Sequence, residues 1–290
     1  MIILNEKDYA ESCLKNGTIS SKPFLTLSIL AKYFYHCRGY RKKKITTQLI
    51  EFMEQFYPYY EENKLDWNTN IEKIAANAGK YTLYEISSIW ITQSEIDKLT
   101  NIHNKVLERL AFVFLCLAKL GNIKNPKNNG WVNVGDKEIF SLAHITCKAQ
   151  ERDIKIGELR RRGLLELPKR NDNMSCRVTF VDEESDKILE VSDFRELGYE
   201  YMKYKGENFI RCRECGILVR GNKNGTKRYC SSCAKYTPQE TKTIVCVDCG
   251  REVEIDSKNN QSCRCSECYT IYRRNKIKEN VKNYREKHNL

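Results

Sequence analysis

Nine of the fourteen cysteines fall within residues 212–268, and their spacing limits what this part of the chain can become. Cys212-Arg213-Glu214-Cys215 is followed after fourteen residues by Cys230-Ser231-Ser232-Cys233. Cys246-Val247-Asp248-Cys249 is followed after fifteen residues by Cys265-Ser266-Glu267-Cys268. Two CxxC turns joined by a hairpin can surround one tetrahedral zinc with four thiolates, each ~2.3 Å from the metal. About thirty residues bury too little apolar surface to fold alone, so the metal takes the place of a core.

The two units repeat each other. Cys212, Cys215 and Gly216 match Cys246, Cys249 and Gly250 at an offset of 34, and Cys230 and Cys233 match Cys265 and Cys268 at an offset of 35. Each glycine suits a turn that needs positive φ. The stretches Ile217-Leu218-Val219 and Glu252-Val253-Glu254-Ile255 are expected as strands leaving the first turns. Cys263 aligns with Arg228, a non-ligand, and Cys265 keeps the CxxC spacing with Cys268, so Cys265 is preferred as ligand with Cys263 open as the alternative. The expectation is two zinc ions per chain. A closed four-cysteine site leaves no position for water, which disfavours a catalytic metal. Cys13, Cys37, Cys116, Cys147 and Cys176 stand apart and read as small apolar packers.

Compartment and charge bear on partners. The start, Met1-Ile2-Ile3-Leu4-Asn5-Glu6-Lys7-Asp8, has no basic segment followed by a long apolar one. No secretion signal is read, a reducing cytoplasm is expected, and clustered cysteines there are ligands rather than disulfides. The longest apolar run, Leu110 to Leu120, contains Lys119 and falls short of the ~20 residues of a membrane span, so no membrane partner is expected. Fifty Lys and Arg against 38 Asp and Glu give a net charge of +12. Such a balance favours nucleic acid or an acidic surface. Residues 206–290 hold eighteen of the basic and ten of the acidic residues, so +8 of the total sits there.

The last segment, residues 269–290, reads as a basic helix on which Ile277, Val281 and Tyr284 fall at i, i+4 and i+7. Arg273, Arg274, Lys276 and Lys278 are its candidate phosphate contacts, with Tyr269 and Tyr272 placed for stacking. A solvated terminal helix is the plainer alternative.

Residues 103–182 show a second pattern. An apolar helix from Val106 to Leu120 is followed by a loop to Gly130 and a short strand Trp131-Val132-Asn133-Val134. Asp136 is placed to cap a helix, a second helix runs from about Lys148 to Arg162, and Leu164–Leu167 and Met174–Val181 read as strands around a turn at 168–173. By element order this resembles a winged helix-turn-helix. In DNA-binding members the second helix enters the major groove and the wing touches the backbone. Carried over, Gln150, Lys155, Arg161 and Arg162 are candidate nucleic-acid contacts and Lys169 and Arg170 lie at the wing tip. Glu151, Asp153 and Glu158 oppose that role, and a protein-binding or structural wing is the alternative.

The first hundred residues read as helical, with stripes at Leu27, Leu30, Ala31, Phe34, at Ile45, Leu49, Phe52, Met53, Phe56, and at Ile71, Ile74, Ala75, Ala78. Thr92-Gln93-Ser94-Glu95 has the capping-box pattern. Arg41-Lys42-Lys43-Lys44 forms a concentrated positive turn, suited to phosphate, to an acidic partner or simply to solvent. His36, His103, His144 and His288 show no ligand spacing, and no phosphate loop, nucleophile elbow or zinc-protease motif is present, so neither an enzyme nor a small-molecule substrate is expected.

The stretches Asp193-Phe194-Arg195-Glu196-Leu197-Gly198-Tyr199-Glu200-Tyr201 and Gly206-Glu207-Asn208-Phe209-Ile210-Arg211-Cys212, with Leu107–Phe112, Ile91–Glu95 and Tyr229–Cys233, carry a further resemblance. They are similar to poorly characterised winged-helix plus zinc-ribbon proteins of low-GC Gram-positive bacteria and their phages. The resemblance implies a phage or mobile-element setting, where small basic zinc proteins act on DNA, on transcription or against a host defence complex. The expectation is therefore a mainly α chain with small β elements: a helical domain at 1–102, a winged helix at 103–182, a linker helix at 183–211, zinc ribbons at 212–237 and 244–268, and a basic helix at 269–290. The expected function is regulatory nucleic-acid binding, DNA ahead of RNA. The alternative is an inhibitor or adaptor bound to a host nucleic-acid machine such as a CRISPR complex.

Overall fold

A computed structural model describes residues 2–168, 175–236, 241–256 and 263–288. Among the described residues the protein is mainly helical, 54%, with small sheets. It divides into two units, residues 1–228 and 229–290.

The first unit holds two apolar cores. Helices α1 (Glu6–Asn16), α2 (Pro23–His36), α3 (Lys42–Phe56) and α4 (Lys64–Asn77) build the first. Asn5 caps α1 by accepting the Asp8 N–H at 3.0 Å, and Pro23 opens α2 where a missing N–H costs nothing. The predicted stripes meet there: Leu27, Leu30, Ala31 and Phe34 pack with Ile45, Leu49, Phe52 and Met53, and with Ile71, Ala75 and Ala78.

The second core forms around α6 (Lys105–Lys124), which follows strand β1 (Ile89–Thr92) and helix α5 (Gln93–Thr100). Asn104 caps α6 by accepting from Val106 and Leu107, at 3.0 and 3.1 Å. From Leu110 to Ala118 every side chain is buried. A helix apolar all round must be enclosed by its neighbours. Those neighbours are β1, α5, strand β2 (Trp131–Val132), helices α7 (Asp136–Leu142) and α8 (Ala149–Arg161), and strands β3 (Leu165–Glu166) and β4 (Cys176–Val178). The last three strands form one antiparallel sheet in the order β2-β4-β3, with Trp131 opposite Arg177 and Leu165 opposite Val178. Gly135, not Asp136, occupies the N-cap of α7, and Asp136 instead bonds the Arg152 guanidinium on α8.

The segment expected as a linker helix is more varied. It contains strand β5 (Lys187–Val191), helix α9 (Leu197–Tyr204) and strand β6 (Phe209–Arg211). β5 pairs antiparallel with β1, Ile89 opposite Val191 and Ile91 opposite Leu189. Lys-Ile-Leu-Glu-Val is strand-like, and it covers β1 backbone that would otherwise lack partners. α9 buries Leu197 and Tyr201 in the second core, where the Tyr201 hydroxyl donates to Glu108 Oε2 at 2.9 Å and its ring lies 5.1 Å from Phe112.

A buried ion pair ties these pieces together. Glu95 and Lys119 are 0% and 2% exposed, with Lys119 Nζ 2.9 Å from Glu95 Oε1. The Glu95 carboxylate also accepts the N–H groups of Thr92 and Asp182, both at 2.8 Å, and Lys119 donates to the Asp182 carbonyl at 2.8 Å. The Thr92 hydroxyl in turn accepts the Glu95 N–H at 3.4 Å and completes the capping box. One carboxylate thus joins β1, α5, α6 and the chain at 182. Lys119→Met would leave Glu95 buried without its cation. It is expected to lower unfolding free energy by about 3–5 kcal/mol, read as a fall in the urea midpoint at constant slope. An unchanged midpoint would show that the pair holds nothing.

Candidate metal centres

Each cysteine quartet sits on a hairpin, and a short helix, α10 (Cys233–Tyr236), begins at the last cysteine of the first. β6 and β7 (Leu218–Arg220) pair antiparallel, with Ile210 opposite Val219 and Arg211 opposite Leu218. In the second unit β8 (Thr241–Val245) and β9 (Glu252–Asp256) do the same, with Ile244 opposite Val253 and Val245 opposite Glu252. The sequence offset of 34 therefore holds in strand register.

It also holds in the turns. Cys212 N–H donates to the Ile217 carbonyl and Cys246 N–H to that of Arg251, both at 2.9 Å. Gly216 and Gly250 return their N–H groups to the carbonyls of Cys212 and Cys246, again both at 2.9 Å. Their φ angles are 70° and 69°, a region that a Cβ disfavours. Arg213 N–H meets the Arg228 carbonyl and Val247 N–H that of Cys263, each at 3.0 Å.

These turns bring Cys212, Cys215, Cys230 and Cys233 into one group and Cys246, Cys249, Cys265 and Cys268 into another, with all four sulfurs of each within 4.8 Å of one another. Four ligands ~2.3 Å from a tetrahedral ion stand roughly 3.8 Å apart. Cys249 and Cys265 sulfurs are 3.9 Å apart, close to that spacing. Cys265 is buried within the second group, whereas Cys263 is exposed and stands outside it.

Hydrogen bonds prepare the sulfurs for ionisation. Cys246 Sγ accepts the Cys265 N–H at 3.3 Å. With further N–H groups from Cys249 and Asp248, this brings the Cys246 thiol down to about 6. The Arg251 guanidinium, 3.4 Å from Cys249 Sγ, lowers that thiol as well. Hydrogen bonding to Cys265 and burial push Cys268 up to about 12. Four crowded sulfurs cannot all carry charge without a cation, and a bound metal ion supplies it.

Burial gives an independent sign. Among the described residues of 229–290, the buried side chains are Cys230, Cys246 and Cys265. No apolar cluster stands in for a core there, and sulfur occupies the interior instead.

The expected nucleic-acid contacts are dispersed. Gln150 is exposed in the first turn of α8 and Lys155 is half-buried. Arg161 and Arg162 are exposed, but both pair with Glu158, at 2.6 and 2.8 Å, and Arg162 also donates to the Ile102 carbonyl at 2.9 Å. Lys169 and Arg170 lie outside the described residues. Arg273, Arg274, Lys276 and Lys278 lie on α11 (Ser266–His288), which starts inside the second quartet and is exposed from Tyr269 through Lys287. Tyr272 lies beneath the Arg264 guanidinium at 4.1 Å, a stacking geometry that spacing alone did not suggest.

Among the described residues, no helix is long and apolar enough to cross a membrane. Compared with known proteins, the chain matches no family model, no curated protein and no solved structure.

Two metal ions per chain are expected by elemental analysis of the purified protein. Cys246→Ser with Cys249→Ser is expected to lower the count to one and leave the urea transition of the first unit in place. Because uptake needs thiolates, metal affinity falls as pH falls. Wild-type protein free of metal after mild purification, with its eight thiols alkylated under native conditions, would overturn the assignment.

Proposed function

We propose that the chain is a non-enzymatic, zinc-containing nucleic-acid-binding protein with a regulatory role in a phage or mobile element. The observation that carries this reading is α11. It holds seven Lys and Arg against three Glu, and none of its side chains from Tyr269 through Lys287 is buried. A helix of 23 residues with no packed face is available to an external partner. Its charge selects a polyanion, and at 1.5 Å per residue it extends roughly 35 Å, about one turn of duplex. Zinc is the ion that four thiolates in tetrahedral array suit best in a reducing compartment. Its role is to hold the hairpins and to fix the base of α11 through Cys265 and Cys268.

The order α6, β2, α7, α8, β3, β4 with sheet β2-β4-β3 supports a winged-helix reading of residues 103–182. In that reading α8 faces the groove, with Gln150 and Lys155 as its contacts. Arg161 and Arg162 are engaged by Glu158, so in this reading most phosphate contact falls to α11.

The test is fluorescence anisotropy with a labelled DNA duplex across a salt series. Wild type is expected to bind with a steep salt dependence. Arg273→Gln, Arg274→Gln, Lys276→Gln and Lys278→Gln combined are expected to flatten the slope of log K on log salt by about 3–4, at ~0.9 per phosphate contact, with zinc content unchanged. Absence of binding to DNA and RNA at low salt would refute the reading.

A further inference from the structure

The first unit carries a second concentration of positive charge that the fold leaves unused. Between Glu11 and Glu51 the sequence contains no acidic residue and eight basic ones. Lys22 and Lys32 pair with Glu138 and Glu6. The densest part, Arg38, Arg41, Lys42, Lys43 and Lys44, forms no ion pair among the described residues, and all five are exposed. Five charges in seven residues compare with +12 for the whole chain.

The turn is anchored at its centre. Tyr40 N–H donates to the Phe34 carbonyl at 3.0 Å, and its ring stacks on Phe34 at 5.8 Å, within the first core. Lys44 Nζ rests 3.8 Å above the other side of the turn, over the Tyr40 ring. Arg38 lies 5.6 Å over Tyr33, whose hydroxyl donates to Glu11 at 3.3 Å, so Glu11 is the acid at that end. The cations are thus carried on a tied turn and the first turn of α3 that follows it.

Their position does not favour folding. The first turn of α3 contains no acid and Arg41 provides no side-chain cap. Lysines there oppose the helix dipole, at ~0.3–1 kcal/mol each when exposed. Among the described residues no acid pairs with these cations, and the exposed strip is open to an anion from outside the chain.

We infer that Arg38, Arg41, Lys42, Lys43 and Lys44 form a second contact for the phosphate backbone of nucleic acid, separate from α11. A polyanion is favoured over an acidic protein because the strip is a run of cations with no exposed large apolar side chain inside it, whereas a protein interface has an apolar centre. Phosphate contacts of this kind position a duplex without reading its sequence. The inference rests on the nucleic-acid reading above and adds a second place of contact.

The test uses the full-length, metal-loaded protein with all five residues changed to Gln, alongside a variant with both arginines changed to Lys. Duplex affinity in the Gln variant is expected to fall at least tenfold at about 100 mM salt, with the salt slope reduced by about 2–4. The Lys variant keeps the wild-type slope. A urea midpoint of the Gln variant at or above that of wild type excludes loss of fold, since these side chains make no ion pair and the lysines oppose the α3 dipole. If the Gln variant binds duplex with wild-type affinity and slope, the inference falls while nucleic-acid binding stands. If wild type binds no nucleic acid, both fall. If a poly-glutamate peptide binds wild type and not the Gln variant, with duplex binding equal in the two, the strip serves an acidic protein and the inference is overturned.

Discussion

Crowded sulfur is the constraint on which the carboxy-terminal part of the molecule depends. A hairpin of five-residue strands is marginal in water without a face to pack on. The second unit offers no such face, since its buried side chains among the described residues are cysteines. What brings β8, β9 and the start of α11 together is a set of thiols within 4.8 Å of each other. Neutral, they pack weakly, and ionised without a cation they repel. A tetrahedral ion held by a quartet would turn that repulsion into cohesion, and its binding would then be part of folding. The matching hydrogen bonds of the two turns give both quartets the same local backbone geometry.

The first unit follows the opposite rule. It has two extensive apolar cores, and its polar node is a specialised addition to the second. Glu95 and Lys119 are costly to bury, and the pair is further engaged by the Thr92 and Asp182 N–H groups, the Asp182 carbonyl and the Glu183 carboxylate. Such an arrangement selects one register among alternatives more than it adds stability. It sets β1 against β5, and β5 leads through α9 towards the first quartet.

What could be read from the amino acids follows from how local each signal is. The quartets were legible because ligand geometry needs two sulfurs three residues apart, and the duplication shows the same spacing twice. The Thr92–Glu95 capping box and the run around Leu110–Leu120 were legible for the same reason, as their meaning lies within a turn or two. The linker was misread because β5 exists only by pairing with β1, almost a hundred residues earlier. Arg161 and Arg162 looked available on a helical wheel, yet Glu158 one turn earlier engages both. The Arg41–Lys44 run was visible, but that it lacks internal partners is a three-dimensional fact. Asp136 was one position from its place, since Gly135 satisfies the N-cap without a side chain.

The solitary helix α11 has a consequence of its own. Isolated helices are marginal in water, because nucleation is costly and nothing outside the backbone holds the coil together. α11 is held at its start by Cys265 and Cys268, by the Arg251–Glu267 ion pair and by the Arg264 guanidinium over Tyr272, and it is exposed from Tyr269 through Lys287. Its helical content is therefore soft: temperature, salt and contact with a neighbour all reset it. Recognition there would therefore be accompanied by a gain of order and a large enthalpy, not by the docking of a finished surface.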